Sequence, residues 1–332
     1  LARAMAALME SDVAKTVLAN GVRVPMVGFS TSFFSEEGVR VPERVWSSMP
    51  TALDAGIWHV DTAHAYGSER QVGDVIGRYL MDGRLTRENL FVTTKIGHPP
   101  TSSYHDARTQ YIYDPAVSAF DGILQDVYRS LDNLGLGYVD LLLLHWPGLF
   151  DAPSRFPAGW KVPPLSKPAA RKKRAEMWAA LEFVYERKQA RAIGVANFTK
   201  EHLEHLMPLC KVLPMINQLE IHPYNSQCEF VAFCQTQGIH VAACAPHVSG
   251  KANVLADPTI KELAEKKGVS PSQLVLSWLV QRDIVVIPRT SNPERIAENV
   301  RVSKSLLDGE EMKLLEALDR GLRTMPDPND IP

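Results

Sequence analysis

The stretch VDLLLLHWP, residues 139–147, runs through four consecutive leucines and stops at a histidine. A strand covered on one face alternates apolar and polar residues. A strand that is apolar throughout is covered on both faces, as in a parallel sheet flanked by helices. Short runs of the same kind recur on either side: MVGF (26–29), WHVDT (58–62), LFVTTK (90–95), ARAIGV (190–195), MINQLE (215–220), HVAACA (240–245) and IVVIP (284–288). Between them lie helical patterns such as PERVWSSMPTALDAG, SERQVGDVIGRYLMDG and AVSAFDGILQDVYRSLDNLG, with apolar residues three and four apart. This alternation admits an open doubly wound sheet or a closed barrel. Eight units with no linker between them favour the α/β class in its (β/α)8 TIM barrel form. Ahead of the first run, KTVLANGVRVP (15–25) reads as an N-terminal β-hairpin with Asn20-Gly21 as its turn.

A chain of 332 residues fits one barrel domain. We read residues 15–332 as that domain and residues 1–14 as an N-terminal extension. The formal net charge of -2 gives no general attraction to nucleic acid. The cysteines, Cys210, Cys228, Cys234 and Cys244, are too sparse for a disulfide framework and lack the paired spacing of a zinc site. A reducing, cytoplasmic location with no metal is the expectation. No apolar run reaches the ~18 to 20 residues of a membrane span, and no secretory leader pattern opens the chain. Two connections after strand ends, 97–115 and 147–168, are long and Pro-rich, and on a barrel they stand over the catalytic face as candidate pocket walls or lids.

Three runs end in a proton-handling group: Asp61 after WHV, Lys95 after FVTT and His145 after LLLL. A single strand-terminal charge often only reaches water. Three on different strands converge at one barrel mouth and point to a site. Tyr66, in the loop DTAHAYG, can turn back to the same mouth. A phenol with a pKa of about 10 is a poor acid near neutrality. The Lys95 ammonium would lower it, and Asp61 would hold that ammonium charged and in place. With His145 able to hydrogen-bond a substrate oxygen from the other side, the four make a carbonyl-polarising, proton-donating centre that still needs a reductant. No G-x-G-x-x-G follows the first strand, so a Rossmann cofactor site is not supported.

The runs GIWHVDTAHAYGSE (56–69), TTK ending at Lys95, LLLLHWP ending at Pro147, IGVANF (193–198), QLEIHP (218–223) and IPRTSNPERIAEN (287–299) resemble the aldo-keto reductase superfamily, in the family's order, over about residues 15 to 320. The resemblance implies a catalytic tetrad of Asp61, Tyr66, Lys95 and His145, with Tyr66 as general acid, and NADPH/NADP+ as cofactor. It implies that Asn197 and Gln218 hold the nicotinamide carboxamide and that Arg289, Thr290 and Arg295 grip the 2′-phosphate. Glu298 and Asn299 then meet the adenine, and Thr31 and Cys244 also border the cofactor. Guanidinium groups suit phosphate, which favours NADPH over NADH. The implied partner is a small-molecule carbonyl substrate, acted on by a monomer.

Departures from the family pattern shape further expectations. Ala196 stands where many relatives have serine. Cys244 replaces the aromatic residue that stacks on the nicotinamide, so restoring Tyr there should tighten NADPH binding. Ser32 and Gly97 occupy positions often filled by pocket aromatics, while Trp146 is retained as a substrate-pocket residue. The polar segment RGLRTMPDPNDIP (320–332) offers no aromatic cover, which suggests an open pocket. RKKR (171–174) reads as a solvated helix end, and His202 and His205 read as surface residues. The alternative function is an NADPH-sensing regulatory subunit resembling the potassium-channel β subunits, against which His145 speaks.

Overall fold

The computed structural model describes residues 14–35, 40–97, 118–148, 165–248 and 252–332. Each apolar run forms a strand: β3 (Gly28–Ser30), β4 (His59–Asp61), β5 (Phe91–Ile96), β6 (Val139–Leu144), β7 (Ala190–Ala196), β8 (Ile216–Glu220), β9 (His240–Cys244) and β10 (Ile284–Ile287). They form one eight-stranded parallel sheet in which every strand pairs with its neighbour in sequence. The first and last strands also meet. Val27 bridges Val286, the Val286 amide donates to Met26 O at 2.8 Å, and the Ser30 amide donates to Pro288 O at 3.1 Å. These seam bonds close the (β/α)8 barrel, which abolishes the sheet edges.

The hairpin ahead of the barrel pairs β1 (Lys15–Val17) with β2 (Arg23–Pro25) in antiparallel register. Its turn differs by one residue from the expectation. The Gly21 amide bonds to Leu18 O, so Ala19 and Asn20 are the central pair, and Gly21 follows in the left-handed region at φ +85°. A turn followed by a left-handed glycine makes a longer loop than the two-residue type, and Gly21 alone adopts the conformation that only it can hold at no steric cost.

Helices α1 (Arg44–Asp54), α2 (Glu69–Met81), α3 (Ala119–Leu134) and α4 (Lys167–Glu186) lie between strands, and each turns one apolar stripe inward. In α3 the buried stripe runs Ile123, Val127, Leu131 and Leu134, the spacing of one helix face. Next in the chain comes the short α5 (Lys200–Leu206), capped reciprocally by Thr199 and His202. That cap corrects the reading of His202 as a surface residue. Its Nδ1 accepts from the Thr199 amide, and Nε2 therefore carries the proton and lies 2.9 Å from Ile331 O. Burial pushes its pKa down to about 4. His205, by contrast, is half-buried.

The RKKR cluster is likewise only partly solvated. Arg171 and Lys172 are on the outside, but Lys173 and Arg174 are buried. The Arg174 guanidinium donates from Nε to Pro147 O at 2.9 Å and from Nη2 to Pro332 O at 2.6 Å, and burial pushes its pKa down to about 10. The helix pattern alone could not reveal this, because what covers Arg174 is the far C-terminal segment. Of the two long connections, residues 98–117 and 149–164 lie outside the described residues.

Strand β7 crosses its neighbours at Gly194, where an added Cβ would lie 2.5 Å from Ile216 O and 2.9 Å from Leu143 Cδ2. Backbone cannot yield there as a flexible side chain would. Gly194→Ala should therefore destabilise the barrel by about 1–3 kcal/mol, the usual cost of overpacking. The check is the denaturant midpoint, and an unchanged midpoint would show that the barrel wall relaxes freely.

Candidate active site

Strands β4, β5 and β6 deliver Asp61, Lys95 and His145 to one end of the barrel, with exposures of 1%, 0% and 5%. Tyr66 reaches the same place because residues His64–Tyr66 form a single 3-10 turn, closed by Gly67 at φ +67° with its amide on His64 O. That turn is braced from below. The Thr31 hydroxyl lies 3.2 Å from Asp61 O and 3.1 Å from Ser68 Oγ, and Ser68 Oγ is also 3.3 Å from Thr62 Oγ1. Thr31 is thus buried in the brace that holds the Asp61 loop.

The Lys95 ammonium has three N–H groups and three acceptors: Asp61 Oδ1 at 2.6 Å, Thr62 O at 2.9 Å and Tyr66 Oη at 3.2 Å. Because Lys95 donates to the phenol oxygen, the phenol proton is directed elsewhere, and it has no acceptor among the described residues. The His145 ring stands edge-on to Tyr66, with centroids 5.7 Å apart. Burial alone would lower the Lys95 pKa, but Asp61 and Tyr66 outweigh it and the net direction is up. For Tyr66 the balance differs from expectation. Lys95 does pull its pKa down, but burial pushes harder and Asp61 adds to it, so the phenol sits above its ordinary value.

Asn197 and Gln218 lie beside this centre, and each commits its amide N–H to the protein: Asn197 Nδ2 to His145 O at 2.9 Å, Gln218 Nε2 to Asp61 Oδ2 at 2.9 Å. Their side-chain oxygens accept no hydrogen bond among the described residues, so two acceptors stand ready for an amide NH2. Asn197 itself is held at φ +60°.

At the end of β10, Thr290 Oγ1 accepts from the Asn292 amide, and Asn292 caps α6 (Pro293–Asn299) by accepting from the Arg295 amide. Arg295 is exposed. Glu298 and Asn299 are tied to the start of the preceding helix, through Ser270 Oγ at 3.1 Å and Ser272 Oγ at 3.3 Å. Ser272 Oγ also lies 3.1 Å from His247 Nε2, a residue that sequence reading did not single out. Arg289 does not join this group: its guanidinium crosses the mouth to Ser32 O and the Phe34 ring.

The sequence profile of the aldo/keto reductase family matches residues 29–320. The chain belongs to the aldo/keto reductase family. It is 35% identical to the 9,11-endoperoxide prostaglandin H2 reductase of Trypanosoma cruzi over 95% of this chain and 94% of that one. It is 32% identical to mouse aldo-keto reductase family 1 member A1, covering 92% of this chain and 90% of the relative. Among solved structures, a Bombyx mori aldo-keto reductase in complex with NADP superposes with a TM-score of 0.79 at 29% identity, covering 96% of this chain and 98% of that one.

The polar tail of this aldo/keto reductase packs against two residues of the mouth, Cys244 and Trp146. The tail is fixed by Glu220, a buried strand-end carboxylate that accepts from the Thr324 amide at 2.7 Å, the Thr324 hydroxyl at 2.5 Å and the Met325 amide at 3.0 Å. Met325 Sδ thereby comes to 3.7 Å from Cys244 Sγ, and Ile331 packs on Trp146, which is left 2% exposed. One earlier expectation changes as a result. A tyrosine at 244 would meet the Met325 thioether before it met a ligand. The Cys244 thiol, pushed up to about 12 by burial and by Glu220, is not a reactive thiolate. Glu220 was legible by the same signal as Asp61, a charge ending an apolar strand, and the tail is its partner.

Burial would raise the Glu220 pKa, but His222, Thr324 and Met325 outweigh it and hold the carboxyl below its ordinary value. The folded pKa is depressed, so this anchoring is present at neutral pH and is lost as pH falls through the carboxylate range. Glu220→Gln should expose the Thr324 and Met325 amides to hydrogen exchange about 10- to 100-fold faster at neutral pH, the worth of hydrogen bonds to a charge. Exchange at the wild-type rate would mean that the tail is held by Arg174, His202 and Trp146 alone.

Proposed function

We propose that this aldo/keto reductase reduces aldehydes and ketones to alcohols with NADPH, Tyr66 acting as the general acid. The observation that carries the reading is the Lys95 ammonium, whose three N–H groups are all engaged and which leaves the phenol proton as the one to be given away. NADPH, when bound, would supply the hydride for the carbonyl carbon. The Asn197 and Gln218 side-chain oxygens fit its carboxamide NH2. Thr290 and Arg295 fit its 2′-phosphate, Glu298 and Asn299 fit its adenine, and Arg289 stands apart from them at Ser32 O. Thr31 and Cys244 complete the floor and wall of that cleft, Cys244 with Met325 beside it.

Each remaining step falls to this chain's side chains. Tyr66 transfers its proton to the carbonyl oxygen as that oxygen gains negative charge, and His145 orients the same oxygen from the other side. Lys95 stabilises the tyrosinate left behind, and Asp61 keeps Lys95 charged and aimed. Ser32 and Trp146 border the substrate. The protein acts on small molecules as a monomer in the cytoplasm.

The test is NADPH oxidation by the purified protein with aromatic and aliphatic aldehydes, run beside Tyr66→Phe. The variant should lose about 10²–10⁴-fold in kcat while keeping its NADPH affinity. Because the Tyr66 pKa lies above its ordinary value, wild-type reduction should hold steady through neutral pH and fall only as pH rises into the alkaline range. Full activity in the variant would falsify the acid assignment. Tight NADPH binding without turnover would favour the regulatory-subunit reading.

A further inference from the structure

The side chain of Met325 spans a sector of the barrel mouth. Its Sδ is 3.7 Å from Cys244 Sγ at the end of β9, and the same half-buried side chain packs on Trp146 and Ile331, beyond the end of β6. The strands between those two ends are β7 and β8, because each strand of the barrel pairs with its neighbour in sequence. Their ends carry Asn197 and Gln218, whose side-chain oxygens are the two acceptors ready for an amide NH2. Met325 is positioned from its backbone: its amide donates to Glu220 Oε2 at 3.0 Å, and the Thr324 amide donates to Glu220 Oε1 at 2.7 Å. Truncating the side chain leaves both bonds in place. Cys244 faces the catalytic centre. Burial pushes its pKa up to about 12, Glu220 adds to it, and Lys95 and Asp61 act on it in opposite directions.

We propose that Met325, together with Cys244, supplies the apolar face against which the nicotinamide ring of NADPH packs, so that the tail carries the surface that an aromatic side chain on β9 would otherwise provide. The inference rests on the reading of the mouth as an NADPH site and deepens it. A ring whose carboxamide meets the Asn197 and Gln218 oxygens lies at the ends of β7 and β8, and the side chain that reaches from β9 to the β6 side is its neighbour there. A thiol alone offers too little surface to cover such a ring. Joined to a thioether and its methyl group, it forms a continuous face, and thioether sulfur makes favourable contacts with aromatic rings. The small residue at 244 follows from the same placement. A tyrosine there and the Met325 thioether would compete for one space, so the two positions hold one bulky group between them.

The experiment separates the nicotinamide half of the cofactor from the rest. Dissociation constants of NADP+ and of 2′,5′-ADP, which carries the adenine and the 2′-phosphate but no nicotinamide, are measured by calorimetry. The proteins are wild type, Met325→Ala, Met325→Gln, Cys244→Tyr and the double variant Cys244→Tyr with Met325→Ala. Met325→Ala should weaken NADP+ by about 5- to 50-fold, a large part of what burying such a side chain contributes, and leave 2′,5′-ADP unchanged. Met325→Gln keeps the length of the side chain and loses its apolar end, so it should weaken NADP+ in the same direction. Cys244→Tyr alone should not tighten NADP+. The double variant should recover affinity lost in Met325→Ala, because the tyrosine then has room.

Tighter NADP+ binding in Met325→Ala overturns the proposal and places the thioether in the space of the ring itself. Equal weakening of both ligands overturns it too, since the loss then lies in the tail as a whole, and so does an unchanged NADP+ affinity. A double variant as weak as Met325→Ala counts against the shared face. Turnover enters none of these readouts. A protein that binds NADP+ and reduces no aldehyde ends the reductase reading, and the ratio of the two affinities still decides the role of Met325. Wild type that binds neither ligand ends the cofactor reading and this inference with it.

Discussion

The buried ion pair between Lys95 and Asp61, 2.6 Å long with neither side chain exposed beyond 1%, is the constraint on which the rest of the centre depends. An ammonium without a partner in that position would lose several kcal/mol of solvation, so the pair can only be built complete. Building it fixes the mouth of the barrel. Asp61 Oδ1 takes Lys95, Oδ2 takes Gln218, and the remaining Lys95 donors take Thr62 O and the Tyr66 oxygen. One ion pair thus sets the direction of the phenol proton and orients the Gln218 amide. Side chains from β4, β5 and β8 meet in it, which is possible because adjacent parallel strands end together on one face.

A second layer of buried charge stabilises what covers the mouth. Glu220 ends β8 as Asp61 ends β4, but its acceptors are filled from the tail: Thr324, Met325 and, from its own strand end, His222. Arg174 and His202 hold the last residues from the opposite side through Pro332 O and Ile331 O. A segment with little apolar surface cannot be held by hydrophobic burial alone. Here it is fastened by hydrogen bonds to ionised or buried groups, with Met325 and Ile331 as its apolar contacts to Cys244 and Trp146. Cover and catalytic centre are therefore coupled through β8, which carries both Gln218 and Glu220.

At the opposite side of the mouth the chain is rich in arginine. Arg40, Arg44 and Arg289 come from one loop, the start of one helix and the end of one strand, and they share the Phe34 segment as a common support. Guanidinium groups tolerate such crowding better than ammonium groups because their charge is delocalised and their faces stack.

What the sequence determined by itself was everything carried by local pattern. Apolar runs without alternation gave the eight parallel strands, and charges ending those runs marked Asp61, Lys95 and His145, because a buried strand can afford an ionisable residue only where it emerges. The loop DTAHAYG placed Tyr66 where it could turn back to the same mouth. Tertiary structure alone decided whatever depends on residues distant in the chain. The tail lies about a hundred residues from Glu220 and roughly 150 from Arg174, so its cover could not be read from a polar composition that taken alone suggests an exposed end. Arg40 lies in a loop with no periodicity, and only the bridge to Phe34 brings it beside Tyr66. The net direction of the Tyr66 pKa was also out of reach, since sequence shows which charges approach a group but not how completely water is excluded from it.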